Sequence, residues 1–504
     1  MRIWLTEHNW PWEPEKYRFP TEQMLLTLFP GEKPEYPAES PKSLPGERGV
    51  IITLTRGPKL AGMSVLVKLE DRYENGVVRF PTERLDEAPE QVYHTVSHAL
   101  KQAFYKAGTA LLGYELPWGS LTGVRPVKLP TRAMLGGKTP KQAERELREV
   151  YRVSPPRAAL AVECAQAALA VNNSLQKGGM ALYIGVPFCP TRCAYCSFIS
   201  ADVKGSLALV EPYVERLCLE IEFAGNILQD YKLHISCAYM GGGTPTTLDA
   251  AQLDRVLSAM ENHLPMERCA EFTVEAGRPD TITAEKLAVL KAHGVRRISI
   301  NPQTMEDKVL RAIGRAHTAA QIEEAMALAG RYFSGMVNMD LIAGLPTDTA
   351  AGFGRTLERV LAMAPANITV HTLALKKGSR LTEEGGAMPS PEEVESMLSL
   401  ASARLRGAGY APYYLYRQKY MSGSFENVGW AKPGTACAYN IVMMEELQTV
   451  LSLGAGGITK LVDPERRKIV RLNNPKYAKE YLDGWDKVAA AKAAAARFQA
   501  GLAK

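Results

Sequence analysis

Three cysteines lie close together in one stretch of this 504-residue chain. Cys189, Cys193 and Cys196 follow a short apolar run at a C-x3-C-x2-C spacing, and Pro190 indicates that the stretch is a loop. Cysteine thiolates hold iron–sulfur clusters, normally four for a cubane, so three cysteines leave one iron without a protein ligand. An iron of this kind is open to a small molecule, and the spacing therefore predicts a reactive metal cluster.

Zinc and unrelated thiols are the two alternatives for this loop. A structural zinc site needs a fourth nitrogen or sulfur ligand to complete a tetrahedron. The loop contains no histidine and no further cysteine, and the nearest candidates downstream are His234 and Cys237. The second alternative is that the cysteines are separate buried or catalytic thiols. The spacing within a loop favours the cluster.

A glycine run and a carboxylate come after two later β-rich segments. Gly241, Gly242 and Gly243 precede Thr244, and Glu275 ends a short apolar run. Glycines let a backbone approach a ligand closely, and their N–H and C=O groups suit the amino and carboxylate ends of a bound amino acid. Alone, the run is also compatible with a flexible turn, and Glu275 with a structural acid.

Three further polar residues follow the next β-rich segments. Gln303 and Arg315 offer neutral and cationic donors to a carboxylate. Asp340 lies within an apolar run, and burying an unpaired carboxylate is costly, so a partner is expected. Arg315 is the partner that we predict.

The elements that would position these residues are six short β-rich runs that alternate with helical patterns. The six candidate strands are 181–186, 236–240, 271–274, 297–300, 337–342 and 368–373. Repeated βα units favour parallel strands joined by right-handed crossovers. We therefore predict an α/β fold with a partial (β/α)6 barrel of the TIM type, in which functional groups lie at the carboxyl ends of the strands.

Three regions are expected along the chain. Residues 1–175 form an N-terminal accessory α+β domain, because β-rich runs at 50–55 and 63–69 precede an amphipathic helix near 89–110. The barrel occupies 176–378. Residues 379–504 form a C-terminal region that covers the substrate.

Composition excludes several classes of protein. Hydrophobic residues make up 46% and charged residues 23% of the chain, which is typical of a globular protein. The net charge of +6 is mild for this length, and no nucleic-acid partner is predicted. No signal peptide or long apolar run is present, so we predict a cytoplasmic protein without a membrane span, whose eight cysteines are thiols or metal ligands.

The motifs carry a resemblance. The cysteine loop, with an aromatic residue before its last cysteine, resembles the radical S-adenosylmethionine (SAM) enzymes. Residues 181–380, with the glycine run, Glu275, Gln303, Arg315 and Asp340, resemble the oxygen-independent coproporphyrinogen III oxidase family. Segments at 413–434 and 454–456 resemble its coproporphyrinogen dehydrogenase HemZ branch, as does the N-terminal segment 118–126.

The resemblance implies two cofactors and a set of site residues. The catalytic set is Tyr183 with the three cysteines, which would ligate a [4Fe-4S] cluster. Gly242 and Glu275, with Tyr183, would contact SAM on that cluster. A second SAM site would be lined by Tyr195, Gly243, Thr244, Gln303, Arg315, Asp340 and Ala374.

The implied activity is an oxidoreductase reaction of haem and porphyrin biosynthesis. Coproporphyrinogen III would lose hydrogen and carbon dioxide from its propionates to give protoporphyrinogen IX, with an electron donor such as flavodoxin or ferredoxin. Two departures leave alternatives open: Gly185 replaces a histidine of the oxidases, and Phe198 replaces a further cysteine. The alternatives are a chaperone-like radical SAM protein that binds haem without decarboxylating it, and a radical SAM enzyme that modifies haem.

Overall fold

The computed structural model describes residues 1–8, 13–37, 48–196, 201–375, 379–381, 388–418, 425–463 and 468–503. The chain divides into two compact units, Met1–Val162 and Glu163–Lys504. Phe198, one of the two departures from the oxidase pattern, lies outside the described residues.

The first unit is built on a four-stranded sheet in the order β1-β2-β3-β4. Its strands are β1 (Arg2–His8), β2 (Arg48–Arg56), β3 (Leu60–Leu69) and β4 (Arg72–Pro81). β1 pairs with β2 in parallel, and the other two pairs are antiparallel. The predicted β-rich runs at 50–55 and 63–69 are confirmed as an antiparallel pair.

Alternation along these strands builds the core of the first unit. Val50, Ile52 and Leu54 are fully buried, as expected for a strand with one face against a core. Helices α1 (Arg18–Leu28) and α2 (Pro89–Leu112) contribute to the same hydrophobic cluster. Helices α3 (Lys128–Leu135), α4 (Pro140–Glu149) and α5 (Pro155–Ser174) follow in the chain.

The second unit contains the six predicted strands. They are β5 (Gly179–Val186), β8 (His234–Gly242), β9 (Phe272–Glu275), β10 (Arg297–Ser299), β11 (Val337–Ala343) and β12 (Asn367–Thr372). They are neighbours in chain order, and every pair is parallel. The predicted parallel β-sheet of a (β/α)6 unit is confirmed.

Helices connect these strands. They are α6 (Val203–Asp230), α7 (Ala250–His263), α8 (Ala284–Ala292), α9 (Asp307–Ala312), α10 (Ala319–Gly330) and α11 (Ala350–Ala362). Side-chain caps define several starts: Asp249 and Thr318 each accept a hydrogen bond from the third residue of the helix that follows. A short parallel pair, β6 (Phe188–Cys189) and β7 (Ala201–Asp202), flanks the cysteine loop.

The C-terminal part of the chain extends this sheet at both edges. β13 (Ala411–Arg417) and β14 (Glu426–Ala431) continue beyond β12, and β15 (Val450–Gly454), β16 (Ile458–Asp463) and β17 (Lys468–Asn473) continue beyond β5. The remaining helices are α12 (Pro391–Gly407), α13 (Ala438–Glu445), α14 (Ala478–Asp483) and α15 (Trp485–Ala503). Within the described part of the chain, none of the helices combines the length and the apolar character that a bilayer crossing requires.

Candidate active site

A cavity of about 540 Å³, part of it open to solvent, lies at the carboxyl ends of the first strands of the parallel sheet. Its lining residues come from the cysteine loop and from the segments that follow β8, β9, β10 and α9. They are Cys189, Thr191, Arg192, Cys193, Tyr195, Cys196, Gly242, Gly243, Thr244, Glu275, Gly277, Arg278, Asn301 and Arg315. All three cysteines and six of the other predicted site residues therefore share one cavity.

Backbone hydrogen bonds fix the cysteine loop. The Ala194 N–H donates to the Ile313 carbonyl at 3.0 Å, and the Leu381 N–H donates to the Ala194 carbonyl at 3.0 Å. Cys193 is buried, whereas Cys189 and Cys196 are partly exposed. The loop is thus held from the segments after α9 and β12, while its thiols line the cavity.

The glycine run lies directly against the loop that precedes Cys189. The Gly243 N–H donates to the Val186 carbonyl, and the Thr244 N–H donates to the Phe188 carbonyl, both at 2.7 Å. A Cβ atom on Gly243 would lie 2.3 Å from the Phe188 carbonyl oxygen. Gly242 has a φ of +108°, which few side-chain-bearing residues adopt. Glycine is required at position 243 because the backbone of the glycine run directly contacts the backbone at Phe188.

Glu275 is a carboxyl group in an unusual environment. Burial raises its pKa to about 7, although the Tyr239 hydroxyl and the Gly242 N–H both donate hydrogen bonds to it. The Tyr239 hydroxyl lies 2.8 Å from Glu275 Oε1. The Glu275 carboxyl therefore changes its charge near neutral pH, where a cationic ligand group would favour the ionised form.

Arg315 lies between the cysteine loop and the end of β10. Its guanidinium donates to the Asn301 carbonyl at 2.6 Å and to the Tyr195 hydroxyl at 3.0 Å. Burial raises the pKa of Tyr195 well above its usual value, so the phenol stays neutral. The predicted site residues Arg315 and Tyr195 are thus in direct contact.

The prediction that Asp340 pairs with Arg315 is wrong. Among the described residues, the ionisable partner of Asp340 is His371, whose Nε2 lies 3.6 Å from Asp340 Oδ2. Asp340 on β11 is in register with Thr369 on β12, and His371 lies two residues further along β12. Adjacent strand ends therefore supply the partner, whereas the Arg315 side chain is directed to Tyr195.

Four predicted site residues do not line the cavity: Tyr183, Gln303, Asp340 and Ala374. Gln303 has a φ of +66° and its Oε1 is buried without a hydrogen-bond partner. A strained residue with an unsatisfied polar atom is a candidate for ligand contact. The Tyr183 ring stacks on Tyr239 at 6.4 Å between centroids, and Ala374 is half-buried after β12.

Sequence reasoning missed the roles of Arg278 and Asn301 in this cavity. Both follow strands directly, β9 and β10, at the edge of the sheet where functional residues of βα barrels lie. Their positions were therefore a usable signal. Arg278 is 3% exposed, and its guanidinium lies 3.8 Å from the Cys193 sulfur.

The donor set fits an open iron–sulfur cubane. Three thiols line one cavity, and no other cysteine and no histidine is among its lining residues. Among the described residues, no three histidine, cysteine or acidic side chains are gathered as they would be around a single metal ion. A cubane binds each thiolate at a different iron, so its three ligands surround a volume instead of converging on one point.

Comparison with known proteins defines the class. Residues 183–360 match the family model of the Radical SAM superfamily. This range contains the cysteine loop, the glycine run and the strands β8 to β11. The chain therefore contains a radical SAM domain, and this class of protein uses a [4Fe-4S] cluster and SAM.

The particular family follows from one relative. Over 400 residues the chain is 39% identical to the oxygen-independent coproporphyrinogen-III oxidase-like protein HemZ of Bacillus subtilis, and the match covers 78% of this chain and 79% of that protein. The chain belongs to this family of oxygen-independent coproporphyrinogen-III oxidase-like proteins. The resemblance stated from the motifs is confirmed.

Two more similarities are with a heme chaperone and with a solved structure. The heme chaperone HemW of Synechocystis is 31% identical over 313 residues, which cover 60% of this chain and 71% of that protein. The solved structure of coproporphyrinogen III oxidase HemN from Escherichia coli, described as a radical SAM enzyme, matches with a TM-score of 0.51 at 24% identity. That match covers 64% of this chain and 73% of the HemN chain. It confirms the fold.

Proposed function

We propose that this protein is a radical SAM oxidoreductase that decarboxylates coproporphyrinogen III to protoporphyrinogen IX without oxygen. The observation that carries the proposal is the single cavity in which three thiols, the glycine run and Glu275 lie together. The similarity to the HemZ protein, whose name refers to coproporphyrinogen-III oxidase, supports the choice of substrate.

The proposed roles follow from position. Cys189, Cys193 and Cys196 hold the cluster, which together with SAM supplies a radical that abstracts hydrogen. Glu275, with Tyr183 and Gly242, receives the amino end of the SAM on the cluster, because an ionised carboxylate at the end of β9 attracts an ammonium group.

A second group of residues is proposed to bind a second SAM. Arg315 and the unsatisfied Gln303 Oε1 offer complementary polarity to a carboxylate and an amino group. The remaining proposed contacts of this second site are Tyr195, Gly243, Thr244, Asp340 and Ala374.

We place the reaction in the cytoplasm, within haem biosynthesis, with flavodoxin or ferredoxin as the electron donor. The barrel is proposed to span 176–378, the accessory domain 1–175 and the substrate-covering region 379–504. A basic lining suits a tetracarboxylate, and two buried arginines, Arg278 and Arg315, line the cavity.

Carbon dioxide release tests the substrate. Anaerobically reconstituted protein, given SAM, reductant and coproporphyrinogen III labelled in its propionate carboxyls, is expected to release labelled carbon dioxide. Release must depend on SAM and must be absent in Cys193→Ser, which lacks one proposed cluster ligand. Label retained with intact protein and an intact cluster would exclude the decarboxylase.

A haem-binding protein is the second candidate function, favoured by the similarity to the heme chaperone HemW. Gly185, which replaces an oxidase histidine, points the same way. A Cβ atom there would lie 2.7 Å from the Ala455 carbonyl oxygen, so the structure leaves no room for that histidine. This candidate predicts stoichiometric haem binding and no vinyl product. Modification of haem would instead consume haem in a SAM-dependent reaction.

Removing the Asp340 carboxylate tests the second SAM site. Asp340→Ala is expected to weaken SAM binding by about tenfold or more, the loss expected for a charge-assisted hydrogen bond, while iron content is unchanged. Equilibrium dialysis with labelled SAM measures the change. Asp254→Ala is the matched control, because Asp254 also pairs with a histidine, His293, but at the surface. If Asp340→Ala binds SAM as tightly as the parent protein does, Asp340 has a structural role and does not contact SAM.

The raised pKa of Glu275 predicts a proton coupled to SAM binding. Its folded pKa is about 7, compared with an ordinary 4.5, so below pH 7 the free site carries a protonated carboxyl. A bound ammonium group favours the ionised form, and SAM binding at pH 6.5 should therefore release a proton. Affinity should therefore increase as the pH rises through about 7.

Calorimetry in two buffers of different ionisation enthalpy measures the released proton. Glu275→Gln keeps the shape and one hydrogen-bond acceptor but cannot titrate, so its proton release should vanish. Equal proton release in the parent and in Glu275→Gln would assign the coupling to another group.

A further inference from the structure

The Arg278 side chain connects the end of β9 to the cysteine loop. Its Nη1 lies 3.8 Å from the Cys193 sulfur, and its Nη2 lies 3.1 Å from the Thr191 hydroxyl. Its Nε donates to Asp280 Oδ1 at 3.1 Å. Its Nη2 also lies 3.5 Å from Asp280 Oδ2, so the planar guanidinium contacts three side chains, two of which belong to the cysteine loop.

One carboxylate and one neutral histidine lie near the Arg278 guanidinium. The Arg278 side chain is 4% exposed, and its carboxylate partner among the described residues, Asp280, is 31% exposed. His317 lies close by, with both ring nitrogens buried and without a hydrogen-bond partner. Burial and then the positive charges of Arg315 and Arg278 lower the pKa of His317 to about 3, so it is neutral. It neither adds charge nor neutralises the guanidinium.

Arg315 also interacts with Cys193, so two guanidinium groups act on this sulfur. Arg315 additionally bonds Tyr195 and the Asn301 carbonyl and belongs to the proposed second SAM site. Arg278 has no proposed contact with SAM. It is therefore the residue whose contact with the cysteine loop can be tested by itself.

We propose that Arg278 is a positioning residue for the cluster: it holds the Cys193 thiolate by an N–H···S hydrogen bond and makes the cluster easier to reduce. Reduction adds one negative charge to the cluster, and hydrogen bonds to the sulfurs and nearby cations stabilise the reduced state. The inference rests on the proposed ligand set, but it does not depend on which tetrapyrrole the protein uses.

The experiment uses the full chain, reconstituted anaerobically with iron and sulfide, in the absence of SAM and tetrapyrrole. Electron paramagnetic resonance records the reduced cluster while dithionite and redox mediators set the solution potential. In Arg278→Gln, the ratio of reduced to oxidised cluster at the parental midpoint is expected to fall about tenfold, which corresponds to 59 mV for one electron. Arg278→Lys keeps the charge but loses the planar fork, so its ratio should fall less.

Arg296→Gln is the matched control. Arg296 is exposed, donates to the Ala270 carbonyl at 2.9 Å and lies just before β10, at the opposite end of the sheet from the cavity. The same loss of one positive charge there should leave the cluster potential unchanged. A shift in this variant as large as that in Arg278→Gln would mean that overall charge, and not the contact with Cys193, sets the potential, and it would overturn the proposal.

The other outcomes also decide. Parental potentials in both Arg278 variants would overturn the proposal. If Arg278→Gln does not retain its cluster, the potential of the cluster in Arg278→Lys is compared with the parental potential instead, and a parental value overturns the proposal. If neither variant takes up iron, unchanged thermal unfolding of the metal-free proteins supports a role in holding the thiolate, and lowered melting temperatures contradict it. A Cys193→Ser protein that keeps the cluster would instead refute the ligand set itself.

Discussion

Cys193→Ser is expected to abolish cluster binding and SAM cleavage. The thiolate is the form of cysteine that binds metals, and a serine hydroxyl does not ionise near neutral pH, so one corner of the cluster would lose its ligand. Cys193 is the most buried of the three loop cysteines and contacts Arg278, so no other thiol can replace it by a small movement. SAM cleavage is followed by its product, 5′-deoxyadenosine. Formation of this product should fall by about a thousandfold or more, equivalent to more than about 4 kcal/mol in activation free energy.

Iron and sulfide analysis, optical absorption and 5′-deoxyadenosine formation measure the effect of Cys193→Ser. Cys218→Ser is the control, because Cys218 is likewise a free thiol but is partly exposed and lies on α6, where it contacts the Arg255 carbonyl. The control should retain iron and activity. Cluster content and SAM cleavage at the level of the control would remove Cys193 from the ligand set.

Gly243→Ala is expected to have the second largest effect. The added Cβ would lie 2.3 Å from the Phe188 carbonyl oxygen and 2.8 Å from its carbonyl carbon. These atoms belong to the backbone directly before Cys189, so the clash can be relieved only by moving the cysteine loop or breaking the 2.7 Å hydrogen bond between the Gly243 N–H and Val186. Overpacking of this kind typically costs about 1–3 kcal/mol. The melting temperature should fall, and SAM cleavage should be nearly lost.

Gly277→Ala is the matched control for Gly243→Ala. Gly277 lines the same cavity, but a Cβ there would meet only the Asn301 side chain at 3.9 Å, which is ordinary contact distance. Thermal unfolding and 5′-deoxyadenosine formation compare the two variants. Equal behaviour of both would show that the close approach at Gly243 is not needed for the site.

The parallel strands could be predicted because their signal is local. Buried parallel strands are short continuous apolar runs between helical patterns, and β5, β8, β9, β10, β11 and β12 all follow this pattern. The two edges of the sheet could not be predicted in the same way. β14 pairs with β12 and β15 pairs with β5 across long stretches of chain, and no local pattern encodes which distant strand a segment joins.

The site was predictable to a similar extent. Placing residues at strand ends brought the three cysteines, the glycine run, Glu275 and Arg315 to one cavity. Partners were harder, because a side chain's direction depends on packing. Asp340 pairs with His371 on the neighbouring strand, and the contact between Arg278 and Cys193 joins two segments that are far apart in the sequence.

The most direct test of the account measures two products in one anaerobic incubation of the reconstituted protein with SAM, reductant and coproporphyrinogen III. The account predicts that 5′-deoxyadenosine and vinyl porphyrin appear together, in a constant ratio that does not change with time, and that neither forms in Cys193→Ser. Formation of 5′-deoxyadenosine without any vinyl product would contradict the proposed reaction while leaving the radical SAM site in place.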